Sequence, residues 1–134
     1  MRAAVETVDG LFEVDLEAEE VLELEPDQGL PPPAPVEVSL PGVVAAAACG
    51  STRVAIVDRR PPLVVSYDAG VTWTEAGGGL PSGRAVAIAE DDPDLVLFAA
   101  RNRLYLSRDG GRFWHALAPE LPEILAVALE LTPE

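Results

Sequence analysis

The chain consists largely of short apolar runs that are separated by residues typical of turns. Residues 11–18 alternate between apolar and mostly acidic positions, as in a β-strand with one buried face. Residues 95–100 form a continuous apolar run of strand length, and residues 104–107 follow after a turn at Arg101 and Asn102. No segment shows the apolar period of an amphipathic helix. The pattern therefore predicts an all-β fold.

A motif of eight residues occurs twice along the chain. Residues 66–73 read S-Y-D-A-G-V-T-W, and residues 107–114 read S-R-D-G-G-R-F-W. The aspartates of the two copies, Asp68 and Asp109, are 41 residues apart. Leu-Pro pairs keep nearly the same interval, at Leu40-Pro41, Leu80-Pro81 and Leu121-Pro122. Two independent markers with one period indicate a structural repeat.

Each repeat accommodates four short strands, which predicts four-stranded antiparallel blades of a β-propeller, about three per chain. Two blades are whole, at residues 40–79 and 80–120. A third is split, with three strands in residues 1–30 and its first strand in residues 123–134. The proline-rich stretch 31–39 is a stiff spacer, or alternatively a ligand for a proline-binding domain.

The strands are expected between turns that are rich in Asp, Gly and Pro. One such turn is predicted at residues 91–94. The predicted strands are 2–8, 11–18, 21–24, 43–48, 54–57, 63–66, 72–73, 84–89, 95–100, 104–107, 113–114 and 125–131.

The residue types of the repeated motif suit a tight turn. Aspartate and serine side chains can satisfy turn amides, and a glycine tolerates positive φ. The tryptophans are expected to bury large rings against the neighbouring blade. The residues with these structural roles are Ser66, Asp68, Gly70, Thr72 and Trp73 in one copy and Ser107, Asp109, Gly111, Phe113 and Trp114 in the other.

With these residues the chain resembles the Asp-box, or BNR-repeat, β-propeller family, whose motif is Ser-x-Asp-x-Gly-x-Thr-Trp. Sialidases, sortilin-type receptors and photosystem II assembly factors share this repeat, and the spacing and the Leu-Pro pairs look most like those of the assembly factors. The resemblance is clear over residues 40–134. The first thirty residues follow only by register, with Leu16 where Asp109 would be. Since the family includes enzymes, receptors and chaperones, the resemblance implies a fold and not one function.

The charge of the chain excludes some partners. Among 134 residues there are 23 acidic and 9 basic ones, which gives a net charge of −14. Such a surface repels nucleic acid and anionic membranes, so a protein partner fits better. No apolar run is long enough to cross a membrane, and the N-terminus lacks a secretory core. We therefore expect a cytoplasmic protein, unless a signal peptide has been removed.

Sialidases of the Asp-box family use three arginines, an Arg-Ile-Pro motif and a Tyr/Glu nucleophile pair in their active sites. This chain has Arg59-Arg60 followed by two prolines but no Arg-Ile-Pro. Tyr67 and Tyr105 are expected in or beside the outer hairpins, away from where a propeller binds substrate. The sequence thus favours a non-catalytic scaffold for protein binding or complex assembly. The alternative is a sialidase-like glycoside hydrolase fragment or remnant.

No cofactor or metal site is predicted. Asp91, Asp92 and Asp94 could gather around a calcium ion, but they lack the spacing of a dedicated loop and favour a plain polar turn. His115 is the only histidine and Cys49 the only cysteine, so neither a zinc site nor a disulfide is expected within one chain. We expect a structural or surface role for His115 and a small buried side chain at Cys49.

Arginines near the inner loops are the best candidates for binding a ligand or partner. A local arginine cluster can receive an acidic peptide or a carboxylate; the alternative is ion pairing with the chain's own acidic residues. The candidates are Arg53, Arg59, Arg60, Arg101 and Arg103, expected around turns between second and third strands, and Arg84 at the start of an innermost strand.

Three blades are fewer than the roughly four to eight of closed propellers, and they leave apolar flanks at both ends of the arc. We expect a homodimer that forms a six-bladed ring, in which the C-terminal strand of each copy completes the N-terminal blade of the other. The alternatives are an arc that docks on a different protein and a fragment of a longer chain.

Overall fold

The structure is a computed structural model, and it describes residues 2–23, 36, 38, 40–59, 61–76 and 78–130. This part of the chain forms twelve strands in three four-stranded antiparallel sheets. The predicted all-β fold of propeller-type blades is therefore confirmed. In the described ranges no helix is long and apolar enough to cross a membrane.

Each sheet is a simple antiparallel meander. The split blade contains β1 (Arg2–Thr7), β2 (Gly10–Asp15), β3 (Glu20–Glu23) and β12 (Ile124–Glu130). Blade 1 contains β4 (Val43–Cys49), β5 (Thr52–Val57), β6 (Leu63–Ser66) and β7 (Thr74–Ala76). Blade 2 contains β8 (Ala85–Ala89), β9 (Asp92–Ala99), β10 (Leu104–Ser107) and β11 (His115–Ala116). The strand orders are β12-β1-β2-β3, β4-β5-β6-β7 and β8-β9-β10-β11.

The first and last strands lie in one sheet. β12 pairs antiparallel with β1, with Ala4 opposite Ala128 and Val5 opposite Val127. This pairing is made within a single chain, so the sheet is complete without the strand exchange that the sequence suggested.

The outermost strands of blades 1 and 2 begin two residues later than predicted. The amides of Thr72 and Phe113 donate to the motif aspartates at 2.9 and 3.0 Å, so both residues belong to the turn. The predicted turn at residues 91–94 is also wrong. Asp92 lies opposite Ala89 and opens β9, because the hairpin closes over Glu90 and Asp91 alone.

Blade 2 occupies the middle of the arc and packs on both neighbours. Strand β8 packs beside β4 on one side and β12 on the other. Buried residues between blade 2 and the split blade include Val5, Val14, Leu97, Leu104 and Ile124. Buried residues between blades 1 and 2 include Val54, Ile56, Val65, Val96 and Phe98. The two clusters hold the three blades together by apolar burial.

The contact between blades 1 and 2 is close at Gly83, just before β8. A Cβ atom at this position would lie 2.7 Å from two ring atoms of Phe98 and 2.9 Å from Cδ1 of Ile56. Only a glycine fits between these side chains without displacing them.

The flanks of the arc are less apolar than expected. On the outer face of blade 1, Val38 and Leu40 pack against a cluster of Ala55, Val57 and Val64. The split blade carries an ion pair, with Arg2 Nη1 2.7 Å from Glu13 Oε1. Arg60, the chain beyond residue 130 and the spacer apart from residues 36 and 38 lie outside the described residues.

Candidate functional site

The first motif turn, residues 66–73, is closed by the carboxylate of Asp68. Its Oδ1 atom accepts hydrogen bonds from the Ser66 hydroxyl at 2.7 Å and the Thr72 amide at 2.9 Å. The Thr72 hydroxyl donates to Oδ2, and the Gly70 amide donates to Ser66 Oγ at 2.8 Å. These donors, the Thr72 hydroxyl first, lower the pKa of Asp68 from 3.8 to about 2.

The second motif turn, residues 107–114, repeats this network around Asp109. Its Oδ1 atom accepts from the Ser107 hydroxyl at 2.8 Å, the Phe113 amide at 3.0 Å and the Arg112 amide at 3.2 Å. The Gly111 amide donates to Ser107 Oγ at 2.8 Å. The Phe113 amide is the main cause of the lowered pKa of Asp109. The aspartates, serines and glycines of both turns thus have structural roles.

The aromatic residues of the two turns differ in their surroundings. Trp114 packs edge-to-face on Phe98, with ring centroids 6.0 Å apart, in the cluster between blades 1 and 2. Trp73 instead packs on the outer cluster of blade 1, where no further blade lies in the described chain. The expectation that both rings bury against a neighbouring blade is therefore wrong for Trp73. Phe113 is 79% exposed.

Three of the candidate arginines are engaged by acidic residues. Glu123 lies 3.2 Å from Arg101 and 3.7 Å from Arg84, and Glu120 lies 3.0 Å from Arg103. An open depression of about 380 Å³ beside them is lined by Arg101, Arg103, Tyr105 and Glu120, among others. The acidic residues of the chain itself thus neutralise much of this end of blade 2.

The remaining candidates do not join that cluster. Arg59 is exposed in the turn between β5 and β6, and Arg60 lies outside the described residues. The expectation that Arg53 lies near a turn between second and third strands is wrong. Arg53 lies on β5 opposite Ser66, at the other end of that strand pair. Its guanidinium would touch a Cβ placed at Gly70, at 3.3 Å, so it supports the first motif turn.

Sequence reasoning missed a groove beside the second motif turn. This arginine–aromatic groove, about 340 Å³ and open, is lined by Leu16, Leu106, Arg108, Asp109, Phe113, Trp114 and His115. It lies where the outer strands of blade 2 meet the turn after β2. The available signal was a comparison of the two motif copies, since Arg108 and Arg112 stand where the other copy has Tyr67 and Val71.

Glu19 connects the split blade to blade 2 at the rim of this groove. Its Oε1 atom accepts from the Ala118 amide at 2.6 Å, and its Oε2 atom lies 3.2 Å from His115 Nε2. The Ala118 amide and then His115 lower the pKa of Glu19. Glu19 adopts a φ of 55°, a conformation uncommon for a residue with a side chain.

The other candidate chemical groups serve local structure. The Tyr67 hydroxyl donates to the Gly110 carbonyl at 3.2 Å, and the Tyr105 ring packs on Phe98 at 6.0 Å. Cys49 is half-buried rather than buried, and its Sγ atom donates to the Glu90 carbonyl at 3.2 Å. Within the described ranges, no group of three or more His, Cys, Asp or Glu residues is placed to hold a metal ion.

Among solved structures, the chain is similar to the GH74 enzyme of Niastella koreensis, with 21% sequence identity and a TM-score of 0.48. The match covers 84% of this chain and 17% of that chain. No protein-family model matches the chain, and no curated protein matches it in sequence.

Proposed function

We propose that this chain is a non-catalytic Asp-box propeller module that assembles with another protein, in the first place a second copy of itself. The observation that carries the proposal is the open arc. Among the strands that the structure describes, β8 packs beside two inner strands, whereas β4 and β12 each pack beside one. At these two edges Val43, Val44 and Leu125 are 37%, 52% and 50% exposed. Apolar residues exposed at both edges favour burial against another chain.

The exposed residues at the two edges occupy equivalent places in the repeat. Val44 and Leu125 each stand four residues after the leucine of a Leu-Pro pair, and each falls at a β-bulge in its strand. In blade 2, which has neighbours on both sides, the same position is Arg84, which pairs with Glu123. The repeat is therefore apolar at this position in the two blades at the ends of the arc and charged in the middle blade.

Electrostatics opposes self-association of this chain. Two copies that each carry a net charge of −14 repel each other, and salt screens that repulsion. Association through apolar edges is therefore expected to strengthen as the ionic strength rises. A dimer held by surface ion pairs would weaken instead.

The proposal that the chain is non-catalytic is supported by the hydrogen bonds and ion pairs that its candidate chemical groups form within the chain. Asp68 and Asp109 close the motif turns, and both have lowered pKa values that suit no general acid. Tyr67 is bonded to a backbone carbonyl, and Arg84, Arg101 and Arg103 have acidic partners in the chain. Hydrolysis of any member of a fluorogenic sialoside panel above the blank rate would contradict this proposal.

The assembly is tested by light scattering of the purified protein at low and high salt. We expect the mass of two chains at high salt. The Val44→Asp variant should raise the dimer dissociation constant about tenfold or more, because it places a charge in an apolar contact. Val71→Asp is the matched control, since Val71 is 80% exposed on the first motif turn, away from the edges. A wild-type chain that is monomeric at every salt concentration would contradict self-association.

A further inference from the structure

The second motif turn carries side chains that the turn itself does not need. Both turns make the same serine and aspartate hydrogen bonds to backbone amides, yet they differ at three outward positions. The first turn has Tyr67, Val71 and Thr72 where the second has Arg108, Arg112 and Phe113. The differences therefore point to a role of the second turn outside its own structure.

The exchange of threonine for phenylalanine removes a side-chain donor to the motif aspartate. The Thr72 hydroxyl donates to Asp68 Oδ2, whereas Phe113 can offer only its amide to Asp109. The Phe113 ring is 79% exposed and gains little from burial in the chain. An aromatic ring that is exposed at the expense of a hydrogen bond is suited to contact with a partner.

The two arginines of the second turn lack the ion pairs that four other arginines form. Arg2, Arg84, Arg101 and Arg103 form ion pairs with glutamates. Arg108, in contrast, is exposed and forms no ion pair with any residue of the described ranges, and the same holds for Arg112. In a chain with 23 acidic residues, these two guanidinium groups remain able to pair with a carboxylate of a partner.

The arginine–aromatic groove places this charge beside an apolar surface. Its floor is formed by Leu16 and Leu106, which are 3% and 4% exposed, and Trp114 lines the same space. The acidic groups at its rim are engaged, since Asp109 accepts turn amides and Glu19 accepts the Ala118 amide beside His115. These carboxylates keep their negative charge, but hydrogen bonds hold their oxygens in place, whereas Arg108 lines the groove without an ion pair to any described residue.

We infer that the groove binds a short acidic peptide segment of a partner protein. A carboxylate of the segment pairs with Arg108, and an adjacent apolar side chain packs on Trp114 and Phe113. The unpaired Arg108 selects this occupant, because neither a basic nor a neutral segment offers it a carboxylate. The inference rests on the proposed protein-binding function but uses a surface away from the edges of the arc.

The test is a titration of the ¹⁵N-labelled chain with four probes, followed by NMR of the tryptophan indole groups. The probes are the capped peptides Ac-Glu-Leu-Phe-Glu-NH₂, Ac-Gln-Leu-Phe-Gln-NH₂ and Ac-Lys-Leu-Phe-Lys-NH₂, and sialyllactose. We expect the acidic peptide to shift the indole N–H signal of Trp114, and Trp73 serves as an internal reference. Arg108→Gln should weaken binding of the acidic peptide about tenfold, as expected for the loss of a charged hydrogen bond. Arg59→Gln should leave the affinity unchanged.

Three results would overturn the inference: no shift of the Trp114 signal with the acidic peptide, equal shifts with the acidic and glutamine peptides, or shifts with sialyllactose alone. A failure of peptide binding can be distinguished from a failure of self-association. A monomeric chain that binds the acidic peptide contradicts only the dimer, and a dimer that ignores the peptide contradicts only the groove.

Discussion

At the scale of single residues, one aspartate organises each motif turn by accepting hydrogen bonds in its charged form. Asp68 receives donors from the Thr72 amide and hydroxyl and from Ser66. Asp109 lacks the hydroxyl donor, because Phe113 takes the place of threonine. The pKa of Asp68 accordingly falls to about 2, with the Thr72 hydroxyl as the first cause. Asp109 nevertheless accepts three hydrogen bonds as well, with the Arg112 amide as the third donor in place of the threonine hydroxyl.

The lowered pKa of Asp68 predicts a pH dependence of stability. The folded value of about 2 lies below the unbonded value of 3.8, so the folded state favours the carboxylate. Its stabilising contribution is complete above 3.8 and is lost as the pH falls towards 2. Urea unfolding across this window should therefore show a smaller loss of stability in Asp68→Asn than in the wild type. Asp91→Asn, at a carboxylate with no hydrogen bond to another described residue, should keep the wild-type slope.

The sequence could assign the serines, aspartates and glycines of the turns because their roles depend only on neighbouring residues. The arginines could not be sorted in the same way. Whether Arg101 is paired depends on Glu123, which precedes β12 and reaches blade 2 only in the folded chain. The place of Arg108 could not be predicted, because the groove it lines forms only when Leu16 of the split blade meets the outer turn of blade 2.

At the scale of elements, the arc is held together by the faces of blade 2. Phe98 is fully buried and makes edge-to-face contacts with Tyr105 and Trp114, so one strand of blade 2 organises the contact with blade 1. The sequence predicted which runs become strands, since these runs are apolar. It missed where the outermost strands begin, because side-chain bonds of Asp68 and Asp109 extend the turns by two residues.

The close contact between blades 1 and 2 gives a prediction about two glycines. Gly83→Ala should lower the free energy of unfolding by about 1–3 kcal/mol, because the new methyl group overlaps Phe98 and Ile56. Gly78→Ala should change it by no more than about 0.5 kcal/mol, because its Cβ would meet no atom within 4 Å. Chemical denaturation of both variants measures the difference. Equal effects would show that the blades do not pack at Gly83.

At the scale of the whole molecule, the three blades form an open arc. The third blade is complete because the first and last strands of the chain lie in one sheet. The repeat interval and the leftover strand patterns at both ends predicted this sheet, since three strands and one strand make a complete blade. From the small number of blades we expect this pairing to join two chains. The structure makes the pairing within one chain, with Ala4 opposite Ala128.

The most direct measurement is a cross-link between these strands. In a Cys49→Ser background, the double variant Ala4→Cys/Ala128→Cys should form a disulfide within each chain on mild oxidation. It would then run as a monomer of altered mobility on a non-reducing denaturing gel. Ala4→Cys alone, with Cys49 retained, should form no disulfide within the chain, because Cys49 ends β4 in a different blade. A double variant that stays reduced, or that links only between two chains, would contradict a split blade closed within one polypeptide.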